Sequence, residues 1–146
     1  MEYRINKKTG DRISVLGFGT SYIAEAKEAE AVAALRRAYE GGVNYFDLAT
    51  ADGKTFPYFR KALGDVRKDV LYQIHFGADY SAGTYGWSTD GEAVKRSIAR
   101  QLEQLGTDYI DYGFIHCIDE LSDWREYQQN GALDYLMELK AQGIVR

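Results

Sequence analysis

One cysteine, one proline and two histidines among 146 residues leave several chemistries without their usual side chains. Cys117 has no second cysteine with which to close an intrachain disulfide. It follows an apolar run, so the expectation is a buried or half-buried thiol in a reducing compartment. No run approaches eighteen consecutive apolar residues, and no basic start leads into a short apolar segment. The expectation is therefore a cytoplasmic chain with no membrane association. Positive charge is not in excess either: 18 basic residues face 22 acidic ones, for a formal charge of -4 and a pI near 5.2. Such a balance offers no long-range attraction to phosphate backbones or anionic lipid, and nucleic acid is excluded as a partner. With so little proline and 15 glycines the composition is that of an ordered α/β chain. Residues 1–146 read as one domain, of a size that buries roughly two thirds of its extended surface.

What is present is an alternation of strand and helix patterns. The opening predicts a short strand at 2–5, a turn at Lys8-Thr9-Gly10-Asp11, and a strand from Ile13 into Gly17-Phe18-Gly19. Ala29, Val32, Ala33, Leu35, Arg36 and Tyr39 fall at helical spacing, with acids early, arginines late, and Gly41-Gly42 as the stop. A strand at Val43–Asp47 follows, then a loop, then a short helix with Pro57 in its first turn and Gly64 at its end. Val70–His75 is apolar on both faces, as a parallel strand under helices should be. The stretch GADYSAGTYGWS reads as a loop. Thr89 and Glu92 have capping-box spacing for a helix running through Val94, Ile98, Leu102 and Leu105 to Gly106. A strand at Tyr109–His116 comes next, then a polar loop at 119–130 with one turn of helix, and a last helix in LDYLMELKAQG. Ile144-Val145 looks like the opening of another strand.

Four β-α units argue for a parallel sheet with right-handed crossovers. A complete (β/α)8 barrel takes about 250 residues. The expected fold is thus α/β: a (β/α)4 half of a TIM barrel behind an amino-terminal β-hairpin, completed by dimerisation or by a second half. An open half leaves edge strands and an inner face that ask for a partner, so a homo-oligomer is expected.

The segments YRINKKTGDRISVLGFGT, GGVNYFDLA, QLEQLGTDYIDYGFIH and LKAQGIVR resemble the amino-terminal half of an aldo-keto reductase. The stretch CIDELSDWREYQQNGALDYLMELKAQGIVR resembles the bacterial subfamily whose longer members end in an iron-sulfur segment. The resemblance implies a (β/α)8 barrel that reduces small-molecule carbonyls with NADPH or NADH, using an aspartate, a tyrosine, a lysine and a histidine. The family pattern FDTAxxYGxxE lies over FDLATADGKTF without a gap. Its aspartate falls on Asp47, its tyrosine on Asp52 and its glutamate on Phe56. The lysine falls on His75 and the histidine on His116. Asp47, Asp52, His75 and His116 are therefore the candidate catalytic positions, and two of the four depart from the family. The resemblance also brings Gly19, Thr20 and Asp47 to the nicotinamide end of an NADP or NAD site, while most of the family's cofactor grip lies in strands beyond this sequence. The chain on its own is expected to bind the cofactor weakly or not at all.

Read from the residues alone, Asp47, His75 and His116 each end a predicted parallel strand, the edge where such sheets place their chemistry. An Asp52–His75 pair would offer a proton relay, but Asp52 is a far stronger acid than a tyrosine and is shorter by a ring. Tyr58, Tyr80 and Tyr85 are alternative hydroxyl sources. Asp47, His75 and His116 are also oxygen and imidazole donors, which raises a metal site as an alternative, although their spacing forms no compact ligand motif. Cys117 is expected to face away from His116, as strand neighbours do. The glycine pair in LGFGT lacks the third glycine of a dinucleotide fingerprint. Tyr80, Tyr85 and Trp87 could line a substrate mouth or cover an interface. Expected activity is carbonyl reduction, impaired or lost in this chain. The alternative is a non-catalytic interaction module of paired half-barrels.

Overall fold

The structure is a computed structural model that describes residues 1–50 and 52–146. Strands β1 (Tyr3–Ile5) and β2 (Arg12–Ser14) form an antiparallel hairpin in the register Tyr3 to Ser14. Its turn is closed by Asn6, which accepts from Lys8 N at 3.0 Å, and by Gly10 at φ +79°. The expected single strand from Ile13 to Gly19 is broken, because the Ser14 hydroxyl donates to Leu16 O at 2.7 Å. The chain re-enters a sheet only at β3 (Phe18–Gly19).

The main sheet is parallel, with β3, β4 (Tyr45–Asp47), β5 (Leu71–Phe76) and β8 (Tyr112–Ile115) side by side in that order. Helix α1 (Glu28–Glu40) joins β3 to β4, α2 (Phe56–Leu63) joins β4 to β5, and α3 (Gly91–Leu105) leads to β8. Side chains alternate across these strands. Phe46, Tyr72, Ile74 and Phe76 are fully buried with Leu35, Phe59, Leu63, Val94 and Ile98 from the helices. Phe59 meets Phe46 and Tyr72 edge-on, with centroids 5.9 and 5.6 Å apart. The opposite face carries Tyr45, Asp47, Gln73, His75, Tyr112 and Phe114, and Phe114 is 46% exposed.

Strands are shorter than their apolar patterns. Asn44 leaves β4 to hold the hairpin, accepting from Ser14 N at 2.8 Å and donating to Arg12 O at 2.7 Å. Asp111 delays β8, since its carboxylate accepts from Tyr72 N at 2.9 Å and from Arg67 Nη2 at 2.8 Å. Ile110 instead pairs in parallel with Val145, which agrees with a strand opening at Ile144-Val145.

Three local expectations need correction. Helix α3 is capped not by Thr89 but by Asp90, whose Oδ1 accepts from Ala93 N at 2.8 Å. Thr89 instead donates to Glu126 at 2.9 Å. The stretch 119–130 is not a polar loop with one helical turn but a nine-residue helix, α4 (Leu121–Gln129), started by Asp123 accepting from Glu120 N at 2.8 Å. Helix α5 (Ala132–Ala141) follows it. Finally, the loop after β5 folds into an antiparallel pair, β6 (Ala78–Asp79) and β7 (Gly86–Trp87), in the register Ala78 to Trp87.

Candidate active site

Asp47 is the last residue of β4, His75 the penultimate residue of β5, and His116 the residue after β8. Parallel pairing sets Gly19 beside Asp47, Asp47 beside Gln73 and His75 beside Phe114. The three predicted side chains thus meet at one edge of the sheet. Asp47 Oδ1 lies 2.8 Å from His75 Nε2, and His75 Nδ1 lies 3.0 Å from His116 Nδ1. His116 Nε2 in turn lies 2.8 Å from the Tyr85 hydroxyl.

Hydrogen-bond chemistry orients this row. A neutral imidazole donates through one nitrogen and accepts through the other. An ionised Asp47 requires His75 Nε2 to donate, so His75 Nδ1 accepts from His116 Nδ1–H, and His116 Nε2 accepts from Tyr85 O–H. Every donor then points toward Asp47. Gln73 also lies 2.9 Å from His75 Nε2 and meets the Tyr45 hydroxyl on its other side. An amide can present either end, and the end that satisfies a donating Nε2–H is its oxygen.

Burial works against ionisation of Asp47, but the His75 hydrogen bond and the Ala49 N–H, 3.0 Å away, outweigh it and hold the carboxyl below its usual range. The His116 imidazole is also shifted down, first by burial and then by the His75 charge, with Asp47 pulling the other way. Both shifts favour the native state above the unfolded-state pKa and lose that contribution as pH falls. Acidification below about 6.5 is therefore expected to weaken the fold through His116, and below about 4 through Asp47. Urea unfolding at pH 7.5 and 5.5 checks this: His116→Gln is expected to flatten the pH dependence in that interval, and an unchanged slope contradicts the assignment.

Two further contacts hold His116 from behind: Trp87 Nε1 and the Tyr127 hydroxyl donate to its carbonyl at 3.1 and 2.8 Å. Gly77 ends β5 at φ +108°, where a side chain would collide with the Tyr127 hydroxyl.

Asp52 does not join the row. Its Oδ1 caps the turn Gly53–Thr55 by accepting from Lys54 N at 2.9 Å, and its Oδ2 lies 3.1 Å from Lys54 Nζ. The Asp52–His75 relay raised by the sequence does not form; Asp47 is the carboxylate on His75. Tyr80 is buried and its hydroxyl accepts from Thr50 N at 3.3 Å, and Tyr58 packs against the core. Tyr85 is the hydroxyl that arrives. Cys117 is exposed rather than buried, because φ +51° turns the chain outward after β8. Its Sγ comes within 3.8 Å of the Tyr85 hydroxyl instead of facing away.

The metal alternative finds no support. Among the described residues no three His, Cys, Asp or Glu side chains are arranged to hold an ion. His75 turns one nitrogen to Asp47 and the other to His116, so the three donors form a line rather than a cage. At the proposed nicotinamide end, the surroundings of Gly19 and Thr20 fit a ligand better. Nothing lies within 4 Å of where a Gly19 side chain would start, and the Thr20 hydroxyl is buried with no partner among the described residues.

Residues 15–146 match the aldo/keto reductase family. This chain belongs to that family. It is 31% identical to the L-galactose dehydrogenase of Arabidopsis thaliana over all of its length and 47% of the relative's. It is 26% identical to the L-glyceraldehyde 3-phosphate reductase of Escherichia coli, over 86% of this chain and 39% of that one. The chain therefore spans less than half the length of these curated relatives. Among solved structures, an aldo-keto reductase from Bacillus halodurans in its holo form superposes with a TM-score of 0.79 at 27% identity, over all of this chain and 48% of that one. The shared fold is the α/β architecture of aldo-keto reductase barrels.

Proposed function

We propose that this site serves NAD(P)H-dependent reduction of small-molecule aldehydes or ketones, slowed relative to the family by the changes at positions 52 and 75. The observation that carries the reading is the unbroken row from Asp47 through His75 to His116 at the carboxyl edge of the sheet. Gly19, Thr20 and Asp47 would face the nicotinamide, which supplies the hydride when bound. The residues of the chain do the rest. The row can hold or release a proton beside the reacting carbonyl, with Asp47 fixing the His75 tautomer and offsetting positive charge on the imidazole pair. Phe114 stacks on His75 at 6.2 Å and shields one side of the ring.

In the same reading the sheet supplies four strands of a barrel, and the face bearing Tyr45, Tyr112 and Phe114 is covered by whatever completes it, a second copy or further chain. The test is loss of absorbance at 340 nm from NADPH or NADH with a panel of sugar aldehydes, hydroxyaldehydes and ketones. Carbonyl-dependent oxidation that His116→Gln lowers at least tenfold is the expected result. Absence of turnover across the panel overturns the proposal.

A further inference from the structure

The carbonyl-reduction reading leaves one role open, and this inference rests on that reading: some group must hand the proton of the row to the carbonyl oxygen, and position 52 holds a carboxylate engaged with Lys54. We infer that Tyr85, brought in by the β6–β7 hairpin, gives that proton, and that His75 and His116, backed by Asp47, resupply it.

Tyr85 is 43% exposed at the edge of the sheet, and 2.8 Å separates its hydroxyl from His116 Nε2. The ring is held edge-on against His116, with centroids 5.6 Å apart, and against Tyr80 at 6.3 Å. Trp87, two residues on, bonds the His116 carbonyl. The hairpin and the histidine are therefore fastened to each other at two points. Around the row stand Asp47 from β4, His75 from β5, Tyr80, Tyr85, Cys117 and, from α4, Tyr127. Phe114 and Trp87 are the uncharged neighbours.

Burial, then the hydrogen bond and charge of Cys117, push the Tyr85 phenol up to about 12. Such a phenol keeps its proton at neutral pH unless a positive charge stands next to it. An extra proton on the imidazole pair supplies one. Placed on His75, it stands beside the Asp47 carboxylate, 2.8 Å from Nε2. His75 Nδ1–H then donates to His116 Nδ1, and His116 Nε2–H donates to the Tyr85 oxygen. The Tyr85 hydroxyl proton is thereby turned outward to the substrate.

The balance is complete. Hydride from a reduced nicotinamide forms the new C–H bond, and the carbonyl π pair takes the Tyr85 proton to form the alcohol O–H. The Tyr85 oxygen takes the His116 Nε2 proton, His116 Nδ1 takes the His75 Nδ1 proton, and the neutral row is restored. One proton from solvent recharges it.

Two readouts test the assignment. In turnover assays Tyr85→Phe is expected to lower kcat by about 100-fold or more with KM within about threefold, and to abolish the rise in rate as pH falls through the titration of the pair. In the protein without cofactor, the Tyr85 signal in ζ-carbon-labelled tyrosine NMR is expected to move through that same titration, and to stay fixed in His116→Gln. Wild-type turnover that survives in Tyr85→Phe with its acid limb intact overturns this inference alone, as does loss of that limb in Asp52→Asn but not in Tyr85→Phe. No turnover by the wild type overturns the carbonyl-reduction reading, and the catalytic role of Tyr85 with it.

Discussion

Replacing Asp111 by alanine is expected to cost about 3–5 kcal/mol of stability, the range for breaking a buried ion pair from one side. The Asp111 side chain is 3% exposed and that of Arg67 11%, with Nη2 and Oδ2 2.8 Å apart. Asp111 also accepts from Tyr72 N at 2.9 Å, so its loss strands a buried backbone donor of β5 as well as removing the carboxylate from the Arg67 guanidinium. Arg67 is not abandoned. It still donates to Val70 O, Tyr109 O and Thr107 Oγ1 at 2.9–3.1 Å, and it lies over the rings of Tyr72 and Tyr109 at 4.2 and 4.1 Å. Those contacts keep the expected cost away from a larger figure. Urea denaturation checks it: the midpoint should fall while the slope stays constant. The double variant Arg67→Met/Asp111→Leu is expected to be more stable than Asp111→Ala, because no uncompensated charge remains. A double variant as unstable as the sum of the single ones would contradict that account. The pair matters beyond stability, since it joins the amino-terminal end of β5 to the segment before β8, the strands that carry His75 and lead into His116.

Position in a strand made Asp47, His75 and His116 legible. A parallel α/β pattern sends the carboxyl ends of its strands to one edge, and apolar runs ending in Asp47, at His75 and at His116 mark that edge without knowledge of contacts. The alternation of β3, α1, β4, α2, β5, α3 and β8 was readable for the same reason, because each element buries one apolar face. Tyr85 was not singled out by such a signal. The strands that carry it there are two residues long, and they are made by turns rather than by periodicity: Gly77 at φ +108° leaves β5, and Gly83 at φ +83° folds the hairpin. The only sequence cue was Asp79 two residues before Ser81, whose N–H and hydroxyl it accepts at 3.0 Å, with Gly83 just beyond. Helix α4 was hidden by polarity, since Tyr127 is its one fully buried side chain. The direction of Cys117 followed from a left-handed residue, which strand alternation cannot anticipate.

Asp47→Asn is expected to lower kcat for carbonyl reduction by about 10³–10⁴-fold, comparable to loss of the tautomer-fixing carboxylate in a Ser-His-Asp triad. An asparagine can turn its NH2 toward His75 Nε2, which forces that nitrogen to accept and moves the His75 proton to Nδ1. His116 Nδ1 must then accept and His116 Nε2 must donate, so the row takes the donor direction of the charged one without its extra proton, and resupplying Tyr85 would leave His75 as an imidazolate. Should the amide present its oxygen instead, the tautomers survive but the negative charge beside His75 does not. Asp47 pulls the His116 pKa upward in the native protein, against burial and the His75 charge. Its neutralisation is thus expected to move the acid limb of the rate profile to lower pH as well as to lower its plateau. Both effects should appear in kcat rather than KM, because the row acts in delivering the proton and makes no contact that holds the substrate. Steady-state kinetics from pH 5 to 8 on wild type and Asp47→Asn decides the matter. A variant with an unshifted limb and a kcat within about threefold of wild type would place Asp47 outside the proton path, and leave it only the hydrogen bond to Ala49 N at the end of β4.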